Sequence, residues 1–103
     1  MVKVLFVCTG NICRSPTAEG VFDKLVKEAG LAEDVHVESA GTTAYHVGEP
    51  PDRRSQAAAR QRGIDLSQQR ARPVNEADLR TFDYILAMGE DHLNYLARMA
   101  GTP

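Results

Sequence analysis

Long apolar runs are missing from this sequence. None comes near the roughly 20 residues that a membrane-spanning helix needs. The apolar stretch behind Met1 is also too short for the hydrophobic part of a secretory signal. We therefore expect a cytoplasmic protein without a membrane partner.

Cysteine is scarce. The two cysteines, Cys8 and Cys13, are too few for a disulfide framework and do not have the spacing of a zinc site. Because they lie close together in one short segment, they suit a pair of reactive thiols instead.

A strong excess of one charge is also lacking. The net charge of -2 gives no reason to expect nucleic acid as a partner. Residues 52–80 nevertheless hold seven arginines against four acidic residues. This pattern is typical of a solvated helix face, and a patch that attracts an anionic substrate is the alternative.

What is present is the composition of an ordinary globular domain, with 43% hydrophobic and 25% charged residues among 103. We predict a single domain over residues 1–103. β-favouring segments alternate with helical ones, which predicts an α/β fold with an open parallel sheet and flanking helices. The predicted strands are 3–7, 35–39 and 83–88, and the predicted helices run from Ser15 to Gly30, over 52–62, after Asn75 and up to Gly101. Helical spacing predicts inward apolar faces that include Val21 and Leu25 in the first helix and Leu93 and Leu96 in the last.

The first and third predicted strands are near-continuous apolar runs, which favours burial on both faces of the sheet. Ser15 and Pro16 look like the N-cap and first residue of the first helix. Ligands of open parallel sheets bind beyond the carboxyl ends of strands. The residue at that end of the first strand is Cys8.

The segment Cys8–Ser15 carries the chemistry. Gly10 and Asn11 tolerate left-handed backbone conformations, so successive N–H groups can turn inward and bind an anion such as phosphate or sulfate. The following helix N-terminus attracts the same anion and stabilises a thiolate. Cys8 is therefore the candidate nucleophile, and Arg14 can grip two phosphate oxygens at once. A second role proposed for Ser15 is to donate a hydrogen bond to the Cys8 sulfur.

The sequence resembles the low-molecular-weight protein tyrosine phosphatases of bacterial type. The similarity lies in Val7–Glu19, Ser39–Thr42, Tyr45–Asp52, Gly63–Ile64, Ala71–Arg72 and Phe82–Met88, in the family's order. It implies a Rossmann-like fold of the phosphatase type and hydrolysis of phosphotyrosine or aryl phosphates. The mechanism implied has a phosphocysteine intermediate on Cys8 and needs neither metal nor cofactor.

The resemblance also assigns supporting roles. Asn11, Ser15 and Ser39 match positions that hold the loop by hydrogen bonds, while Ile12 and Tyr45 match the rim that selects aryl substrates. The phosphate-binding residues would be Thr9, Gly10, Asn11, Ile12, Cys13 and Arg14. Cys13 would form a reversible disulfide with Cys8 that protects it from over-oxidation. Neither His46 nor His92 comes with a motif that would give it the geometry of a general base, and we expect both to be solvated.

The sequence departs from the family in its last part. The aspartate-proline motif of the family's general acid is absent from 1–103, as are another strand and a final helix. We therefore expect impaired turnover and an unpaired sheet edge at residues 84–88 that invites self-association. A fragment of a longer phosphatase, a naturally short enzyme and a phosphate-binding module remain as hypotheses.

Two other functions fit the same loop. One is thiol-dependent arsenate reduction, although no further cysteine follows Cys13 to relay a disulfide. The other is a non-catalytic module that binds phosphate or phosphopeptides. Both stay open at this point.

Overall fold

A parallel β-sheet with helices on both faces forms the framework of the protein. The computed structural model describes residues 1–101. The elements in chain order are β1 (Val2–Cys8), α1 (Arg14–Glu28), β2 (Val35–Gly41), α2 (Arg53–Gln61), α3 (Glu76–Thr81), β3 (Tyr84–Ala87) and α4 (Glu90–Met99). The predicted α/β class and parallel sheet are confirmed.

The first strand occupies the centre of the sheet. The strand order is β2-β1-β3, and Val4 pairs with Val37 on one side and with Tyr84 on the other. Residues Val4–Cys8 are buried because helices cover both faces of this strand. The prediction that the apolar run of the first strand is buried on both faces is confirmed.

Alternate residues of β1 serve two separate layers. Leu5 and Val7 are fully buried in a core cluster with Phe82 and Leu96, on the side of α3 and α4. Phe6 points to the opposite side, where its ring meets the Phe22 ring of α1 edge-on with centroids 5.8 Å apart.

The third strand is not buried on both faces, contrary to the prediction. Tyr84 and Leu86 are 60% and 43% exposed, whereas Ile85 and Ala87 pack against the core. Among the described residues β3 pairs only with β1, so it forms an edge. Its α1-side face is open because α1 lies over β1 and β2.

The inward faces of two helices also differ from prediction. Val21 and Leu25 of α1 are largely exposed, and they border an apolar groove beside Phe6 and Met88. In α4 the apolar Leu93, also expected to face inward, is 57% exposed. The buried residues of that helix are His92 and Leu96, one turn apart, so the prediction is confirmed for Leu96 only.

The helix ends follow local sequence signals more closely. Gly30 adopts a positive φ of 74° just beyond α1, which confirms the predicted stop. Asn75 and Asp78 form a reciprocal capping box at the start of α3. Asp52 caps α2 by accepting from the backbone N–H groups of Arg54 and Ser55.

Candidate active site

A small cleft opens at the carboxyl end of β1. Its volume is about 320 Å³, and the buried Cys8 lies in its wall. The lining residues are Cys8, Thr9, Gly10, Ile12, Cys13, Arg14, Thr43, Tyr45 and His46. The structure thus brings the distant Tyr45 to the same cleft as the loop.

A larger groove of about 680 Å³ lies along α1 beside Phe6 and Met88; it shares Cys13 and Arg14 with the cleft but does not include Cys8. Its walls are mostly apolar side chains, including Phe22 and Leu25. A phosphate group needs N–H donors as well as a cation, and only the smaller cleft has the loop from Cys8 to Arg14 in its wall, so it is the better anion site.

Asn11 organises the loop from inside. Its φ of 60° is the only positive value at a non-glycine residue among those described. Its Nδ2 donates to Ser15 Oγ at 2.8 Å and to Ser39 Oγ at 3.0 Å, and its Oδ1 accepts from the backbone N–H of Arg72 at 3.0 Å. The left-handed turn is therefore held by three hydrogen bonds from one buried amide.

Ser15 does not cap α1, so that prediction was wrong. The residue at the N-cap is Cys13, and Ser15 lies fully buried inside the first turn. Its Oγ is 3.0 Å from Cys8 Sγ and 3.4 Å from the Ala40 carbonyl oxygen. Since Asn11 already donates to this oxygen, the single hydroxyl hydrogen remains available to the Cys8 sulfur, which is the nearer acceptor.

Gly10 serves the loop through its size and not through a left-handed conformation. Its φ is not positive, whereas that of Asn11 is. A Cβ at Gly10 would lie 3.0 Å from Cδ2 of His46. The missing side chain therefore lets His46 approach the loop.

The end of β2 holds the loop from the other side. Thr42 donates its backbone N–H to the Cys8 carbonyl at 2.8 Å, and Thr43 donates both its N–H and its hydroxyl to the Thr9 carbonyl at 3.1 Å. A Cβ at Gly41 would come within 2.6 Å of that same carbonyl oxygen. Only glycine allows this close approach, and the sequence pattern did not reveal it.

Glu19 extends the network behind the loop. Its Oε1 accepts from the Ser39 hydroxyl at 2.7 Å. Burial raises the pKa of this carboxyl, and this exceeds the lowering by the Ser39 hydrogen bond. A chain of contacts therefore runs from Glu19 through Ser39, Asn11 and Ser15 to the Cys8 sulfur.

Arg72 is the arginine of the 52–80 segment that supports the site. Its guanidinium bonds both carboxylate oxygens of Asp78, at 2.9 and 3.1 Å, and Glu38 at 3.2 Å. Desolvation lowers its pKa, but these partners outweigh that effect and raise it, so the side chain stays charged. Arg72 is half-buried and donates its backbone N–H to Asn11 Oδ1, so the prediction of a solvated helix face is wrong for this residue.

The rim of the cleft is exposed. Tyr45 is 84% exposed, and Cys13 and Arg14 are exposed as well. Among residues 1–101 no hydrogen bond or ion pair holds the Arg14 guanidinium, so it can turn towards a bound anion. His46 lies at this rim, with Nδ1 3.2 Å from both carboxylate oxygens of Glu49.

His92 is not solvated, contrary to prediction. It is 1% exposed, and its Nε2 lies 2.8 Å from Thr9 Oγ1. The helical spacing of His92, Leu96 and Met99 could have indicated this buried face if histidine had been counted as an inward residue. Because the prediction counted only apolar residues, it placed Leu93 on the inward face and left out His92.

No carboxylate lines the cleft within the described residues. Asp52 is engaged at the start of α2, and Asp83 accepts from the backbone N–H of Lys3 at 2.8 Å. Asp91 is exposed on α4 and lies 3.5 Å from His92 Nε2.

Nowhere in 1–101 do three or more His, Cys, Asp or Glu side chains cluster in a way that could hold a metal ion. None of the helices described is long and apolar enough to cross a membrane.

A cysteine over a helix N-terminus, with a free arginine beside it, defines a class of phosphate-handling loops on an α/β fold. The family model "Low molecular weight phosphotyrosine protein phosphatase" matches residues 3–103. This chain belongs to that family.

Individual relatives agree with this assignment. The chain is 50% identical to the human low molecular weight phosphotyrosine protein phosphatase over 96 residues, which is 93% of this chain and 60% of that protein. The crystal structure of YfkJ from Bacillus subtilis superimposes with a TM-score of 0.96 at 46% identity, covering 98% of this chain and 64% of the other.

Vibrio vulnificus Wzb in complex with benzylphosphonate matches with a TM-score of 0.85 at 32% identity, over 95% of this chain and 65% of the other. The chain thus spans less than two thirds of the length of these relatives.

Proposed function

We propose that this chain provides the phosphate-binding and nucleophilic part of a phosphotyrosine phosphatase. Cys8 Sγ attacks the phosphorus of an aryl phosphate, the bond from phosphorus to the aryl oxygen breaks, and water later hydrolyses the phosphocysteine. The observation that carries the proposal is the 3.0 Å contact between Cys8 Sγ and the buried Ser15 Oγ at the start of α1. This contact can stabilise the sulfur as a thiolate and as a leaving group.

The substrate class is supported by the rim and by one relative. Arg14 can bind two oxygens of the phosphoryl group, and Tyr45 can flank an aromatic leaving group. Wzb is described with benzylphosphonate, which carries a ring next to a phosphorus centre. An aryl phosphate monoester fits a cleft of about 320 Å³ with one polar end and one exposed aromatic side chain.

We further propose that residues 1–103 turn over slowly, because no carboxylate among those described lines the cleft to protonate the leaving oxygen. General acid catalysis typically contributes about 10² to 10⁴-fold. p-Nitrophenolate leaves without a proton, whereas phenolate does not, so hydrolysis of p-nitrophenyl phosphate should greatly exceed that of phenyl phosphate.

The test compares these two substrates in the parent, Cys8→Ser and Arg14→Lys. We expect turnover of p-nitrophenyl phosphate in the parent, none in Cys8→Ser, and a large loss in Arg14→Lys because lysine lacks the planar fork. Equal rates on both substrates would contradict the missing acid. Inorganic phosphate binding without turnover in the parent would favour the binding module, and arsenate reduction with thioredoxin would favour the reductase.

A redox role for Cys13 is a separate proposal. Cys13 is exposed and Cys8 buried, and both are free thiols. Oxidised Cys8 would condense with the Cys13 thiol, releasing water and forming a disulfide that dithiothreitol reduces. Peroxide inactivation should then be reversible in the parent and irreversible in Cys13→Ala, and equal recovery in both would contradict it.

Self-association through β3 is also a proposal. The strand presents unpaired backbone groups with the exposed Tyr84 and Leu86 beside them. Size-exclusion chromatography should show a mass that rises with concentration, and Leu86→Lys should reduce it. A monomer at every concentration would contradict this proposal.

A further inference from the structure

The buried imidazole of His92 reaches the catalytic loop from α4. Its Nε2 lies 2.8 Å from the hydroxyl of Thr9, the residue that follows the nucleophile. We propose that His92 is a positioning residue that fixes the Thr9 hydroxyl as a hydrogen-bond donor to the phosphate group. The inference rests on the proposed function, because it assigns a role at the same cleft.

The hydrogen-bonding state of the ring supports a direction for this contact. Nδ1 of His92 is buried and has no partner among the described residues. A buried lone pair without a partner is less unfavourable than a buried N–H without one. The tautomer with its hydrogen on Nε2 is therefore favoured, and Nε2 donates to Thr9 Oγ1 at 2.8 Å, which is nearer than the Asp91 carboxylate at 3.5 Å.

This direction leaves the hydroxyl hydrogen of Thr9 unused. A threonine hydroxyl has one hydrogen, and its oxygen already accepts from His92. No other protein group among residues 1–101 bonds to Thr9 Oγ1, while Thr9 itself lines the cleft. An anion in the cleft is a suitable acceptor for that hydrogen.

The backbone of Thr9 is held independently. Its carbonyl accepts from the N–H and the hydroxyl of Thr43, each at 3.1 Å. Thr43, just after β2, restrains the main chain of Thr9, and His92 of α4 restrains its side chain. Thr9 therefore has little conformational freedom. Such preorganised donors stabilise charge in a site without reorganisation.

Packing alone does not account for a histidine at this position. Leu96, one turn further along α4, meets the core with an apolar side chain. A buried ring nitrogen without a partner costs stability that a leucine at position 92 would not incur. The residue is explained by the bond it makes.

The tautomer can be measured directly. Two-dimensional ¹H–¹⁵N spectra of the imidazole should show His92 with its hydrogen on Nε2 at neutral pH. A hydrogen on Nδ1 would overturn the proposed direction of the Thr9 bond.

The functional test uses His92→Leu, His92→Gln, Thr9→Val and the double variant His92→Leu/Thr9→Val. The probe is inorganic phosphate, measured by its protection of Cys8 against iodoacetamide, with kcat and KM for p-nitrophenyl phosphate as the second readout. We expect each single loss of the bond to weaken phosphate protection by about two- to tenfold. The two substitutions remove the same interaction. The double variant should therefore bind phosphate no more weakly than the more impaired of the two single variants.

His92→Gln should recover part of the loss, because its Nε2 can donate to the same hydroxyl. His36→Gln is the matched control, since His36 lies on β2 against Glu38 and outside the cleft, and we expect it to bind phosphate like the parent. Additive losses, or unchanged protection in Thr9→Val, would overturn the proposal. Thr9 is exposed, so its variant remains decisive even if His92→Leu fails to fold.

The two proposals can fail separately. If the parent binds phosphate but does not hydrolyse p-nitrophenyl phosphate, the phosphatase proposal fails. The protection series then still decides whether His92 acts through Thr9.

Discussion

The floor and the rim of the cleft are built differently. On the floor, Cys8, Asn11 and Ser15 are buried and joined by hydrogen bonds of 2.8 and 3.0 Å. At the rim, Tyr45 and Cys13 are exposed. The difference indicates that the proposed phosphate site is preorganised, whereas the exposed residues that would meet the rest of a substrate can adapt to it.

The largest effect should follow removal of the amide at the centre of the floor. Asn11→Ala removes one hydrogen-bond partner each from Ser15, Ser39 and the Arg72 N–H and places alanine at a φ of 60°. We expect a loss of about 2–4 kcal/mol in the free energy of unfolding, together with loss of turnover. Urea denaturation and p-nitrophenyl phosphate hydrolysis measure the two effects.

Asn11→Gly is the matched control, because glycine accepts the left-handed conformation but makes none of the side-chain bonds. It should be somewhat more stable than Asn11→Ala and equally impaired in turnover. Near-parent activity in either variant would show that the floor does not depend on this network.

The next effect concerns the contact between Ser15 and Cys8, the proposed nucleophile. Ser15→Ala should cost about 1 kcal/mol of stability but slow the breakdown of phosphocysteine more strongly, because the departing sulfur loses its donor. Rapid-quench kinetics should show a burst of p-nitrophenol that is larger relative to the steady state than in the parent. Thr81→Ala removes an exposed helical hydroxyl bonded to Ala77, and it should leave these kinetics unchanged.

A smaller effect is expected behind the floor, at Glu19. Its pKa is raised by burial, so the protonated form favours folding below the unfolded pKa and that stabilisation is lost as the pH rises through the folded pKa. Glu19→Gln keeps an acceptor for Ser39 without the buried charge. It should be more stable than the parent at neutral pH, and the difference should shrink in acid. Thermal unfolding from pH 4 to 8 measures this difference. An advantage of Glu19→Gln that grows as the pH falls would contradict the prediction.

The smallest effect on the fold should come from the rim. Tyr45→Ala should change the stability by less than about 0.5 kcal/mol, because the side chain is 84% exposed. We expect a higher KM for aryl phosphates with unchanged inhibition by inorganic phosphate, which has no ring. Tyr45→Phe should behave like the parent. Weaker inhibition by phosphate in Tyr45→Ala would show that this rim residue also contributes to phosphate binding, contrary to the proposed difference between floor and rim.

Much of the fold could be predicted from local pattern. The strand before Cys8, the stop at Gly30 and the capping pair of Asn75 and Asp78 agree with the structure because each depends on neighbours within a few residues. The prediction failed for Ser15, since Ser-Pro at a helix start resembles a cap. Ser15 instead contacts Cys8 from inside the first turn of α1, which begins earlier than predicted, at Arg14.

Burial was harder to predict than secondary structure. Leu86 and Leu93 are apolar and yet exposed, whereas His92 is polar and fully buried. Hydrophobic periodicity locates an element and its apolar stripe, but which neighbour covers that stripe depends on the arrangement of all layers.

Local sequence is enough to specify a strand, a turn and a helix that place a cysteine and an arginine in one candidate anion-binding loop. What holds that loop in shape depends on tertiary contacts, because Ser39, Arg72 and His92 reach it across 28, 61 and 83 residues of chain. Contacts over such distances carry no signature in local spacing. They exist because parallel strands bring their carboxyl ends together at one edge of the sheet.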